Sequence, residues 1–292
     1  MRKFFVAGLV LVAAIAGAGF ALLRNEALLL DVVGGLRPDM TISERERMIA
    51  PHIRLEASPE VAGSAAGETS PLPAVIMFHG CSGYRPAFMA QWGAVAAEAG
   101  WRAFSVDSHA PRGIDRDAAM AKVCQGKALL GQERAGDAIA AVNLVAARAD
   151  VDPARIVVAG WSHGAWTLMD LFAMDIGKRA PASLKHDGVA APQIAGAILF
   201  YPYCGFGAWS RVQEWTISPP AIAFVGGRDT VVDGPACKAT FERLAAVGAD
   251  IDLVFYPDAE HVFDDPTLPE YYGREEASDA RARFKDFLGA LR

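Results

Sequence analysis

Ser162 stands between two glycines in "GWSHG" (residues 160–164), directly after the apolar run "RIVVA". A serine hydroxyl is a poor nucleophile until a base takes its proton, and that base is usually a histidine oriented by a carboxylate. Two histidines follow at a distance, His186 in the polar stretch "SLKHDGVAAPQ" and His261 in "YPDAEHVF". His261 follows the last apolar run and is the expected base, whereas His186 reads as a solvated side chain. For the orienting acid, Asp229 in "FVGGRDTVVD" leads, with Asp233 as the second choice or else a helix N-cap. Asp258 and Glu260 lie too close to His261 along the chain for that role. Such a set would transfer an acyl group through a covalent serine intermediate.

The elements that must hold these residues can be read from the apolar pattern. Short apolar runs at 74–78, 102–107, 155–160, 195–201, 221–227 and 251–257 predict strands, and "HIRLEAS" (52–58) alternates like an edge strand. Helical patterns fall at 86–99, 133–148 (amphipathic), 163–174, 235–248 and 276–291, while "TISERERM" reads as a capped helical turn or an extended arm. Runs apolar throughout imply burial on both faces, and their alternation with helices implies βαβ units around a parallel sheet. The expected organisation is an arm over 26–50 and one α/β domain over 51–292.

In a parallel sheet, ligands gather at the carboxyl ends of the strands. Ser162, Asp229 and His261 all fall there, as do His79 and Cys81 after the 74–78 run. Gly-x-Ser-x-Gly between a strand and a helix is the context of a nucleophile elbow, where the turn presents the serine at the helix start. The oxyanion of a tetrahedral intermediate would then be held by backbone N–H groups of His163 and Cys81. His79 reads as a brace for its loop rather than a second base.

A formal net charge of −6 gives no electrostatic case for nucleic acid. The first 25 residues begin with Arg2 and Lys3 and continue uncharged from 4 to 23. This is the pattern of a secretory signal, with Ala16-Gly17-Ala18 as its candidate cleavage site, or of an uncleaved anchor. Either places the body of the chain outside the cytoplasm, periplasmic or secreted, with membrane contact only through that segment. Cys81, Cys124, Cys204 and Cys237 lack the close pairing of a zinc site and would meet an oxidising compartment, with three pairings open.

Taken together, "FHGCSG", "VDSHAPRG", "GWSHG", "GGRD" and "YPDAEHVF" resemble the dienelactone hydrolase family of α/β hydrolases, from about residue 72 to the end. The resemblance implies the α/β-hydrolase fold, a mostly parallel central sheet flanked by helices, and the chain order Ser162, Asp229, His261. It implies hydrolysis of esters or lactones without a cofactor or metal. The enzymes that gave the family its name carry cysteine where this chain has serine. Only about 20 residues separate "LFYPYC" from "AIAFVGG", so no large cap domain is expected, and an open site would suit small or polymeric esters. The fold further implies the pairings Cys81–Cys124 and Cys204–Cys237. Tyr203 and Phe206 follow a strand end and are the leading aromatics for an acyl pocket. Trp161, Trp166, Tyr201 and Trp209 read equally well as core. A peptidase, or a non-catalytic binding protein on the same fold, is the alternative.

Overall fold

The computed structural model describes residues 40–59, 71–181 and 183–291. The expected leader, most of the arm and most of the loop over 59–73 lie outside the described residues. Among the described residues, seven strands form one sheet: β1 (Ile53–Ala57), β2 (Leu72–Phe78), β3 (Arg102–Val106), β4 (Val151–Trp161), β5 (Gly196–Phe200), β6 (Ala221–Gly226) and β7 (Ile251–Tyr256). Their order is β1-β3-β2-β4-β5-β6-β7, every pairing parallel except β1 with β3. The central strands β2, β4, β5 and β6 are four of the six apolar runs, and their burial on both faces follows from helices lying on each side, whereas the run at the sheet edge, β7, is mostly half-buried.

Among the described residues there are six helices of eight or more residues: α1 (Ile42–Ile49), α2 (Pro86–Glu98), α3 (Gly131–Ala146), α4 (His163–Ala173), α5 (Gly234–Ala246) and α6 (Arg274–Ala290). One core layer packs α3, α4 and α5 on the sheet through residues such as Ile139, Leu168 and Phe241. The opposite layer packs α2 and α6 through Trp92 and Phe284. Between β5 and β6 the chain adds only the short 3-10 turn Trp209–Arg211.

One element resolves an alternative left open by the sequence pattern, and one departs from that pattern. "TISERERM" becomes helix α1, begun by a capping box in which Thr41 and Glu44 satisfy each other's backbone N–H. Helix α3 is not amphipathic in its surroundings, because every residue from Gly131 to Val142 is buried. The reason is α1, which lies on the outer flank of α3 and buries Arg45 against Asp137 at 2.6 Å. Arg112 reaches the same carboxylate at 2.9 Å from the other side. A charged pattern that reads as a wet face is therefore an internal ion cluster. Its carboxylate stays well ionised: burial works against this, and the Arg112 and Arg45 charges together prevail and lower the pKa of Asp137.

Candidate active site

Strand β4 ends at Trp161, and Ser162 turns the chain into α4 with φ 52° and ψ −114°. Backbone of this kind is strained for a residue with a Cβ, by about 1–3 kcal/mol, and persists only where its neighbours over-determine it. The neighbours are the glycines. A Cβ on Gly160 would lie 2.5 Å from the backbone of Gly164 and Ala165, and one on Gly164 would lie 2.1 Å from the Phe78 carbonyl oxygen. Ser162 N–H donates to Phe200 O at 2.9 Å, which pins the turn to β5.

The Ser162 hydroxyl faces His261 Nε2 at 3.0 Å, and His261 Nδ1 donates to Asp229 Oδ2 at 2.6 Å. The other carboxylate oxygen of Asp229 accepts from the backbone N–H groups of Val231 (3.0 Å) and Val232 (3.1 Å). This division fixes the carboxylate and leaves one oxygen for the imidazole. It also fixes the tautomer, with the proton on Nδ1 and a lone pair on Nε2 toward the serine. All three side chains are buried or nearly so. Asp233 caps α5 through Ala236 N–H at 3.2 Å, and His186 is exposed in a turn, so neither joins the group.

On the opposite side of Ser162, the turn at 80–83 closes with Gly83 N–H donating to Gly80 O at 3.2 Å. A disulfide ties Cys81 of this turn to Cys124, and a second joins Cys204 to Cys237. Cys124 is carried by a segment that no sequence pattern announced, the helical turn Arg116–Ala118 running into the π-helical turn Ala119–Val123. As the first residue of α4, His163 has a backbone N–H with no intrahelical acceptor. Cys81, Ser162 and His163 line one cavity of about 310 Å³ together with Trp166, Tyr203 and Phe206.

The side chain of His163 points away from this chemistry. Its Nε2 donates to Leu129 O at 2.7 Å and its Nδ1 accepts from Arg134 at 3.0 Å. Burial, and then the charge of Arg134, hold its pKa well below the usual histidine range, so the ring is neutral. His79 is also neutral for the same two reasons. It donates to Gly80 O at 2.7 Å and accepts from Ser108 N–H at 3.3 Å, bracing the loop.

Behind His261 lies a group the sequence did not single out. The carboxylate of Asp264, fully buried, accepts from Tyr201 Oη (2.6 Å), Trp161 Nε1 (3.0 Å) and Trp92 Nε1 (3.1 Å). The ring of Tyr201 packs edge-on to His261 with centroids 4.7 Å apart. Trp161 and Tyr201 thus serve this cluster, and Trp209 is core, donating to Gln132 Oε1 at 2.8 Å. Tyr201 itself holds a left-handed φ of 36°.

Residues 61–291 match the sequence model of the dienelactone hydrolase family. The chain belongs to that family. A curated relative is a Yersinia pestis protein provisionally assigned as a carboxymethylenebutenolidase, 30% identical over 69 residues. That match covers 24% of this chain, and the chain spans about a quarter (26%) of the relative's length. Among solved structures, a dienelactone hydrolase assigned in Klebsiella pneumoniae superposes with TM-score 0.55 at 17% identity, covering 77% of this chain and 89% of the other. A thermophilic esterase of Thermogutta terrifontis with propionate bound superposes with TM-score 0.57 at 18% identity, covering 82% and 93%. The same esterase phosphorylated by paraoxon gives TM-score 0.58 at 19% identity, again covering 82% and 93%. At these identities the structural likeness carries the fold, the α/β-hydrolase fold of the family.

Proposed function

We propose that this member of the dienelactone hydrolase family is an exported serine hydrolase cleaving carboxylic esters or lactones through a covalent acyl-enzyme. The observation that carries the reading is the unbroken hydrogen-bond chain from Ser162 through His261 to Asp229, set on a strained turn. The names of its structural relatives support it, since one is an esterase seen with propionate and butyrate and seen phosphorylated by paraoxon.

In this mechanism the Ser162 oxygen attacks the carbonyl carbon as its proton passes to His261 Nε2. The charge that develops on the imidazole is held by Asp229 Oδ2, whose orientation the Val231 and Val232 N–H groups maintain. The carbonyl oxygen becomes an oxyanion, stabilised by the backbone N–H groups of Cys81 and His163. As the tetrahedral species collapses, the alkoxide leaves with the proton from His261, giving the ester of Ser162. Water then repeats the sequence: His261 takes its proton, the hydroxide adds to the acyl carbon, and Ser162 recovers its hydrogen as the acid departs. No step calls on a group beyond the chain, the substrate and water.

Export rests on the charged and then apolar leader at residues 2–23 together with two disulfides, which persist in oxidising compartments. The test is intact mass of the purified protein before and after a fluorophosphonate probe. A single adduct on Ser162 is expected. It should be lost in Ser162→Ala and in His261→Ala, along with ester turnover down by about 10⁴-fold or more. An unlabelled serine in folded protein, confirmed by circular dichroism, would overturn the reading.

A further inference from the structure

Two cavities meet at Ser162, and they differ in size. The larger, of about 310 Å³, lies on the side of Trp166, Tyr203 and Phe206. The smaller, of about 40 Å³, lies on the side of Gly80, Phe88 and Tyr201. One water needs about 10–15 Å³ on this measure, so the smaller compartment takes roughly three or four non-hydrogen atoms. Its walls do not yield easily. Phe88 and Met89 are buried, Phe88 packs edge-on to Trp161 at 5.6 Å, and Tyr201 is held by Asp264.

The chemistry of the walls is as informative as their volume. Among the described residues, no Lys, Arg, Asp or Glu lines the larger cavity, and its one imidazole, His163, is kept neutral. The cation lining the smaller cavity, Arg85, is engaged by the Asp265 carboxylate and donates to Thr267 Oγ1 at 2.8 Å. An ionised group placed in either compartment would lose its hydration without gaining a free partner. At the mouth of the larger cavity, by contrast, Phe206 and Val231 are each 63% exposed. Large apolar side chains left in water beside a cavity mark a surface that an apolar ligand covers.

We infer that the substrate is an uncharged ester divided unequally about its carbonyl, with a bulky apolar or aromatic half and a half no larger than acetyl, propionyl or a short alkoxy group. This rests on the serine-hydrolase reading above and narrows its substrate class. The division follows from Ser162 lining both compartments. A carbonyl carbon bonded to the serine oxygen has its two substituents directed apart, and only one of the two spaces admits a ring or a long chain.

The experiment is an ester panel, assayed by proton release, in which each half is varied separately between small and bulky. One further ester carries a free carboxylate on its bulky half. Esters with one small half should be cleaved, and those bulky on both halves should have kcat/KM lower by about 10-fold or more. The carboxylate-bearing ester should fall by a similar factor below its neutral isostere. Phe206→Ala, at an exposed position of the larger cavity, should raise KM for bulky–small esters by a larger factor than for small–small esters. Equal rates for bulky–bulky and bulky–small esters, or for charged and neutral ones, would overturn the inference, as would a panel with no turnover. The serine reading is judged separately by fluorophosphonate labelling of Ser162 in the same preparation. Labelling without the size pattern sinks only the substrate class, and loss of labelling sinks the reading beneath it.

Discussion

Arg134 Nη1 hydrogen-bonds the imidazole of His163 at 3.0 Å, and the same nitrogen donates to the His79 carbonyl at 2.7 Å. His163 follows the serine, and His79 lies two residues before Cys81, so one buried guanidinium joins both arms of the proposed oxyanion site. Replacing it with an apolar side chain of similar length should leave substrate binding largely intact while the arms lose their common anchor. For Arg134→Met we expect kcat to fall by about 10–100-fold with KM within a fewfold. That is milder than the 10²–10³ typical of deleting a donor outright. Steady-state kinetics with a neutral ester checks this, and an equal loss in kcat and in folded fraction would assign Arg134 a purely structural part. Arg134→Lys, which keeps the charge but not the fork, should recover only part of the rate.

The glycines of the elbow differ sharply from the glycine of the neighbouring loop. Gly164→Ala would drive a methyl to 2.1 Å from the Phe78 carbonyl oxygen, whereas the nearest atom to a methyl on Gly80 would be 3.6 Å away. Gly164→Ala should therefore fail to fold or unfold far earlier on heating, and Gly80→Ala should be folded with a melting temperature close to the parent's. A thermal scan of the two variants side by side decides it.

The Cys81–Cys124 bridge spans a sequence separation of 43 and ends on a wall of the larger cavity. Cross-links of this kind typically stabilise by about 2–4 kcal/mol. Cys124→Ser should lower the urea midpoint accordingly. It should also reduce kcat, since the turn carrying the Cys81 N–H is no longer fastened. Stability lost with kcat unchanged would show that the loop keeps its shape without the bond.

Asp264 sets a pH dependence of stability. Its burial, only partly offset by the hydrogen bonds of Tyr201 and Trp161, pushes its pKa up to about 6 from an ordinary 3.8. The folded state thus keeps a proton over a range in which the unfolded chain has released it. Stability from this group is therefore greatest below the ordinary aspartate value and declines as pH rises to about 6, by about 3 kcal/mol in all. Other carboxylates with lowered pKa values, Asp137 among them, act in the opposite direction, so the comparison must be with Asp264→Asn. Urea midpoints of parent and variant should converge or cross between pH 4 and pH 6. Parallel lines across that window would show that Asp264 is ionised throughout.

The candidate site was legible in the sequence wherever its signal was local. Ser162, Asp229 and His261 each follow an apolar run within a few residues, so placing the strands placed the side chains. The cysteines could be paired only through the sheet order that the family resemblance implied. Arg134 and Asp264 were not legible. Arg134 sits in "ERAGDAIAAV", whose charges match a solvated helix face. Only its burial among Ser108, His79 and His163 reveals otherwise, and those contacts join segments far apart in the chain. A weak signal was present, in that small and apolar residues fill most of the remaining positions of this helix. Asp264 lies three residues after His261, in a polar stretch with no pattern of its own. Its partners Trp92, Trp161 and Tyr201 come from three separate elements, a convergence that no spacing along the chain encodes.

The covalent tie between Cys81 and Cys124 makes the proposed activity of this chain a matter of its history as well as its sequence. Nothing in the order of amino acids closes that bond; an oxidant must do so after synthesis. Two preparations of the same polypeptide, one matured in an oxidising environment and one recovered from a reducing cytosol, would share every residue and most of the sheet. They would differ in how firmly the turn beside the serine is held. A rate constant for this protein therefore has meaning only alongside a thiol titration of the sample in the cuvette.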